Sequence, residues 1–155
     1  MTRYSLPRTT LPAQLRLTDG QPRAGTIFVA DRVPQHEGPE TVLEMLNRPE
    51  GFYAFRLESG DGILLVAKAH TVSLAVDEPA ILDPARLEAA RRAELEVVLE
   101  GGTTLAGRAS FELPDFHQRL IDYLNASTDP FFAVSTGATT HYVNRAHVLY
   151  ARPRD

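Results

Sequence analysis

The sequence predicts a mainly β protein, a β-rich α+β fold of two pseudo-symmetric, small barrel-like units, each with about four antiparallel strands and one short helix. Three observations predict it. Apolar residues alternate along several short segments, glycine-containing turns follow those segments, and one ordered set of residues occurs twice at offsets of 77 to 82 positions. The division expected is an N-terminal arm over 1–12, a first β module over 13–78, a helical connector over 79–94 and a second β module over 95–153. The two modules either share one core or hold one each.

The arm rests on Pro7 and Pro12, which disfavour regular pairing near a chain end. The first module then opens with Leu15-Arg16-Leu17-Thr18-Asp19-Gly20 and reaches Ala24-Gly25-Thr26-Ile27-Phe28. The second opens with Val97-Val98-Leu99-Glu100-Gly101-Gly102 and reaches Ala106-Gly107-Arg108-Ala109-Ser110. Asp-Gly and Gly-Gly favour tight hairpins because glycine accepts a positive φ without a Cβ clash. A glycine inside the following strand marks a bulge, a bend or the close approach of another backbone.

A short helix follows in each module. Val42, Met45 and Leu46 precede Asn47, and Leu120, Tyr123 and Leu124 precede Asn125, both with the i, i+3, i+4 spacing of a helix face. Asparagine tolerates the left-handed backbone of a helix end, so Asn47 and Asn125 read as C-terminal caps. Next, Phe52-Tyr53-Ala54-Phe55 corresponds to Phe131-Phe132-Ala133-Val134. These runs lead to the turns Ser59-Gly60-Asp61-Gly62 and Ser135-Thr136-Gly137-Ala138. The sharpest correspondence closes each module: Val66-Ala67-Lys68-Ala69-His70-Thr71-Val72 against Val143-Asn144-Arg145-Ala146-His147-Val148-Leu149. Four matching segments in one order are the signature of duplication. Between the modules, Asp83 as a cap, Pro84 in the first turn and the Glu88–Arg92 pair predict the connecting helix.

The first part of each module resembles the first motif of Sm-like small barrels: an apolar-alternating strand, an acidic or glycine turn and a strand carrying a glycine. Leu95 to Gly107 carries this well and Leu15 to Gly25 moderately. Val66–Val72 and Val143–Leu149 resemble the second Sm motif, with alanine where eukaryotic members have glycine. The helix between the motifs departs from Sm proteins, which carry theirs first. With that helix included, Arg119-Leu120-Ile121-Asp122-Tyr123-Leu124-Asn125 is similar to an uncharacterised family of small bacterial domains with an Arg-Leu-x-Asp-x-Leu-Asn stretch between two β hairpins. The resemblance implies a fold, and no activity comes with it.

Composition narrows the function. A net charge of −4 gives no general pull toward nucleic acid or anionic membrane. The absence of cysteine removes disulfides, thiolate catalysis, iron–sulfur clusters and cysteine zinc sites. No apolar run is long enough to span a bilayer, and the N-terminus lacks the apolar stretch of a signal peptide, so a cytoplasmic protein is expected. No phosphate loop, dinucleotide fingerprint or nucleophile elbow occurs, and no enzyme, cofactor or metal site is expected.

The candidate ligand-binding residues are Lys68 with His70, and Arg145 with His147: a base and a histidine in equivalent places, suited to an anion such as phosphate. The competing reading gives each histidine a backbone hydrogen bond at a strand end and lays each basic stem over apolar surface. His36, His117 and His141 lack metal-ligand spacing. Asp122 has no nucleophile or histidine partner implied by spacing. Phe52, Tyr53, Phe131 and Phe132 either stack on bases or fill the core. The expected role is a non-catalytic binding or assembly module, built as an internal pseudo-dimer, with a protein partner or self-association. The alternatives are an Sm-like RNA-binding protein and a small-molecule sensor with its pocket between the repeats.

Overall fold

The computed structural model describes residues 8–77, 91–111, 120–126 and 128–154. The first half contains β1 (Arg8–Leu17), β2 (Pro22–Ala30), α1 (Val42–Asn47), β3 (Phe52–Leu57), β4 (Ile63–Ala67), a 3-10 turn over Lys68–His70 and β5 (Thr71–Val76). The second contains β6 (Arg91–Leu99), β7 (Thr104–Phe111), α2 (Leu120–Ala126), β8 (Phe131–Thr136), β9 (Thr139–Asn144), a 3-10 turn over Arg145–His147 and β10 (Val148–Pro153). Mainly β is therefore the fold class. All ten strands join one sheet in the order β10-β6-β7-β8-β9-β5-β1-β2-β3-β4, with every pairing antiparallel.

Three sequence expectations change. The sheet is open and continuous, with β10 and β4 at its ends, rather than closed into two barrels. Each half has five described strands where about four were expected, because the Lys68–His70 and Arg145–His147 turns break the closing apolar segment and send its second part back beside the first strand of its own half. Ordered pairing also reaches further than expected. β1 begins at Arg8, inside the stretch read as an arm, and pairs from Arg8↔Ala30 onward. Pro12 fits there because β5 pairs with β1 only from Gln14 to Leu17, so at Pro12 the strand has β2 as its one described neighbour. Residues 91–94 of the expected connector, Arg92 included, belong to β6; residues 79–90 and 1–7 lie outside the described residues.

The hairpin turns follow the glycines. Gly20, Gly60, Gly62, Gly101, Gly102 and Gly137 all have positive φ. Gly25 and Gly107 differ, since neither has positive φ and both lie within a strand. A Cβ on Gly25 would sit 2.1 Å from the Arg56 carbonyl oxygen, and one on Gly107 would sit 2.4 Å from that of Ser135. Of the three expectations for these glycines, close approach by the neighbouring strand is the one realised.

Two apolar clusters form, and the halves contribute to each other's. The first gathers Leu15, Ile27, Val29, Phe55 and Leu74 under the α1 residues Val42, Met45 and Leu46, and takes in Phe131 and Tyr142 from the second half. The second gathers Leu95, Val97, Leu99, Ala109, Phe132, Val134 and Val143, and takes in Val72 from the first half. Side chains alternate between faces along a strand. Phe131 and Phe132 are both fully buried, so β8 is covered on both faces. The reason is β5 and β9, which pair from Ser73↔Val143 to Val76↔Thr140 and fasten one half to the other.

Candidate functional site

The residues singled out as a candidate anion site lie in the two 3-10 turns, and the structure gives the two bases a common task. Lys68 is buried. Its Nζ donates to the carbonyl oxygens of Met45 (2.8 Å) and Arg48 (3.0 Å), at the C-terminal end of α1. Arg145 does the same in the second half, donating to the carbonyls of Leu124 on α2 and of Asp129 beyond it. The last carbonyls of a helix have no intrahelical donor and carry the negative end of its dipole, so a cation there satisfies both needs. The backbone repeats the correspondence: the Lys68 amide donates to the Gly51 carbonyl and the Arg145 amide to that of Pro130, each at 2.8 Å. Burial, with the nearby Arg48 charge, lowers the Lys68 ammonium from its ordinary value, while Glu50 and Glu40 act in the opposite direction. Main-chain carbonyls occupy the Lys68 amine and the Arg145 Nε and Nη1, while the buried Arg145 Nη2 has no hydrogen-bond partner among the described residues.

Lys68→Ala therefore leaves buried carbonyls without their cationic donor and is expected to cost about 2–4 kcal/mol. Lys68→Arg, which copies the second half, should cost less than about 1 kcal/mol. Urea unfolding of the two variants checks both figures.

The histidines divide. His147 bridges the halves: Nε2 lies 2.6 Å from the Ala69 carbonyl and Nδ1 2.9 Å from a Glu100 carboxylate oxygen. His70 is exposed. Asn144 is buried nearby and donates from Nδ2 to the Lys68 carbonyl at 3.1 Å. The two 3-10 turns thus meet at the seam between the halves, and what they build there is an internal joint. For His147, burial opposes the charged ring, but the Ala69 carbonyl and the Glu100 carboxylate outweigh it and raise the imidazole above its ordinary value. A raised value contributes stability fully at pH below the unfolded value of about 6.5 and loses it as pH rises through the folded value. The stability gap between wild type and His147→Asn is accordingly expected to be widest near pH 6 and to narrow toward pH 8 in urea titrations. His36 and His141 are common to both proteins and cancel from that difference.

Asn47 has a second part in the seam. It closes α1, but Arg48 after it is extended (φ −64°), and no described non-glycine residue has positive φ. The left-handed cap expected there is replaced by a clasp: Nδ2 donates to the Phe131 carbonyl (3.2 Å), and the Phe131 amide donates to Oδ1 (2.9 Å). That places the Asn47 side chain on the other half of the molecule. The start of α1 carries a signal the sequence reading passed over. Thr41 and Glu44 form a reciprocal capping box, legible as Thr-x-x-Glu before an apolar run.

The remaining candidates are resolved individually. His36 Nε2 lies 2.7 Å from Glu44, whose hydrogen bond raises the imidazole. His141 lies 3.1 Å from the Thr136 hydroxyl, and burial lowers it. His117 is outside the described residues. Among the described residues no group of three or more His, Cys, Asp or Glu is placed to hold a metal ion. Tyr53, Phe131 and Phe132 are core residues; the Tyr53 hydroxyl meets Thr71 Oγ1 at 2.9 Å, and burial pushes the phenol up to about 12. Phe52, alone of the four aromatics, is exposed. Two surface depressions, of about 650 and 310 Å³, are lined by second-half and first-half residues respectively, and neither lies between the halves. No helix among the described residues is long and apolar enough to cross a membrane.

No protein family, curated protein or solved structure matches the chain.

Proposed function

We propose that this protein is a non-catalytic assembly module of the cytoplasm, an internal pseudo-dimer that recruits polypeptide partners by adding strands to the open edges of its sheet. The observation that supports this reading most is where its apolar surface lies. Among the described residues the exposed large hydrophobic ones are Phe52, Ile63, Leu65, Ile121, Leu149 and Tyr150. Ile63 and Leu65 are on the edge strand β4 with Phe52 on its neighbour, and Leu149 and Tyr150 are on the other edge strand, β10. Proteins that stay monomeric protect a sheet edge with charge, proline or a covering segment. Ile63-Leu64-Leu65-Val66-Ala67 carries none of the first two. An unpaired edge with apolar side chains beside it is the surface used in recognition by strand addition.

RNA binding draws less support, since Lys68 donates to the Met45 and Arg48 carbonyls, Arg145 to those of Leu124 and Asp129, and the net charge is −4. The test is photocrosslinking in the cells that make the protein, with a benzophenone amino acid at position 65 or 150 and, as a control, at the exposed turn residue Ser59. Polypeptide crosslinks confined to 65 and 150 are the expected result. No polypeptide crosslink at either edge, with a shift to RNA-bound mass in light scattering, would replace this reading with the RNA one.

A further inference from the structure

We infer that the partner at both edges is a second copy of this chain, joined head to tail by a β10–β4 pairing that repeats the internal β5–β9 seam. The inference rests on the edge-recruitment reading and names the occupant. By the correspondence of Val66–Val72 with Val143–Leu149, β4 is the equivalent of β9, and β10 the equivalent of β5. In the single chain β9 and β5 pair with each other, while β4 and β10 have no strand neighbour on their outer side among the described residues. One copy of a repeated joint is made, and the two surfaces of the next are open.

Burial follows this difference at four positions. Phe131 and Tyr142 enter the first-half core across the seam and are 1% and 5% exposed; their equivalents Phe52 and Leu65 are 64% and 75% exposed. On the other surface, Val72 and Ser73 are 1% and 9% exposed, against 60% and 51% for Leu149 and Tyr150. At these four positions, residues buried at the internal seam have apolar, uncovered equivalents at the free edges, whereas Val66, the equivalent of Val143, is buried within its own half. The residue types of the polar clasps recur too. Asn47 grips the Phe131 backbone, and its equivalent Asn125 is exposed on α2, as Phe52 is on β3. His147 reaches the Ala69 carbonyl, and its equivalent His70 is exposed, as is Ala146.

The internal register carries over without adjustment. Ser73↔Val143, Leu74↔Tyr142, Ala75↔His141 and Val76↔Thr140 become Tyr150, Ala151, Arg152 and Pro153 of one copy against Val66, Leu65, Leu64 and Ile63 of the next. Pro153 occupies the terminal pair, where its missing N–H removes at most one ladder bond. In such an assembly Phe52 and Leu65 of one copy enter the second core of its neighbour beside α2, and Asn125 clasps the Phe52 backbone. His70 contacts the Ala146 carbonyl. Because the two surfaces differ, the contact is heterologous and propagates until the rotation closes a ring.

Light scattering over a concentration series tests this on the full chain and on two edge variants, Phe52→Lys/Leu65→Lys and Leu149→Lys/Tyr150→Lys. Wild type is expected to exceed its 17.1 kDa chain mass. Each variant alone should stay at that mass, because one of its two surfaces is blocked. Mixed in equal amounts, they should form a heterodimer of twice the chain mass and nothing larger, since each supplies the surface the other lacks. A monomeric wild type, a variant that self-associates, or a mixture that stays monomeric overturns the inference. If either double variant fails to fold by circular dichroism, Leu65→Glu and Tyr150→Glu singly take their places. Crosslinks from 65 and 150 to a different polypeptide, with a monomeric wild type, would reject the second copy and keep edge recruitment. No crosslink at all would reject both.

Discussion

Gly25→Ala is expected to destabilise the protein by about 3–5 kcal/mol, a large effect for one methyl group. The added carbon would lie 2.1 Å from the Arg56 carbonyl oxygen and 2.5 Å from the Phe55 ring. The oxygen belongs to the backbone of β3, and Phe55 is a fully buried core residue, so neither obstacle is the free end of a flexible side chain. To admit the methyl group β3 must move away from β2, which loosens the short Gly25–Ile27 pairing with Leu57–Phe55 that holds the two strands together. The second half gives an independent replicate. Gly107→Ala meets the Ser135 carbonyl at 2.4 Å and should cost a similar amount. Gly51, with open space and no positive φ, is the control; Gly51→Ala should stay within about 0.5 kcal/mol of wild type. Urea unfolding measures all three, and a Gly25→Ala cost near that of Gly51→Ala would mean that β2 and β3 are not so close.

Phe131→Ala is expected to cost about 3–5 kcal/mol, whereas Phe52→Ala, its equivalent, should cost under about 0.5 kcal/mol in dilute solution. Phe131 is fully buried in the first-half core although it belongs to the second half, and its amide and carbonyl are both held by Asn47. Deleting the ring leaves a cavity beside α1, at a seam where the surrounding strands are fixed by pairing on both sides. Phe52 has solvent where Phe131 has the other half of the molecule. Chemical denaturation at a low protein concentration measures the contrast, and equal costs for the two would mean that the correspondence between the halves breaks down there. The same pair of variants reports on assembly. At concentrations where copies associate, Phe52→Ala should become costly as well, because its ring would then be buried by a neighbour.

The local features of this protein could be read from local sequence. Alternation marks β1 and β6, an apolar run marks β8, the glycine turns come where Asp19-Gly20 and Gly101-Gly102 demand a positive φ, and the i, i+3, i+4 triplets lie on α1 and α2. The main-chain carbonyls that Lys68 and Arg145 meet are near in space and remote in sequence, so no local pattern points to them. The break that creates β5 and β10 was not legible. The run from Val66 to Val72 reads as one strand until the Lys68 amine is seen drawn to the end of α1.

By itself, then, the sequence determined the mainly β class, the glycine turns and the two short helices. Those properties follow from side-chain alternation, backbone steric limits and neighbours within a few residues. Only the tertiary structure decided that β5 pairs with β9, that the sheet stays open, and that Asn47 holds a strand of the other half. Alternation shows that a strand has an apolar face but says nothing of which edge lies beside it. A backbone edge offers the same N–H and C=O groups whatever its sequence, so the choice among edges is made by the cores they seal. Here that choice sends Phe131 and Tyr142 into one core and Val72 into the other, across the same seam.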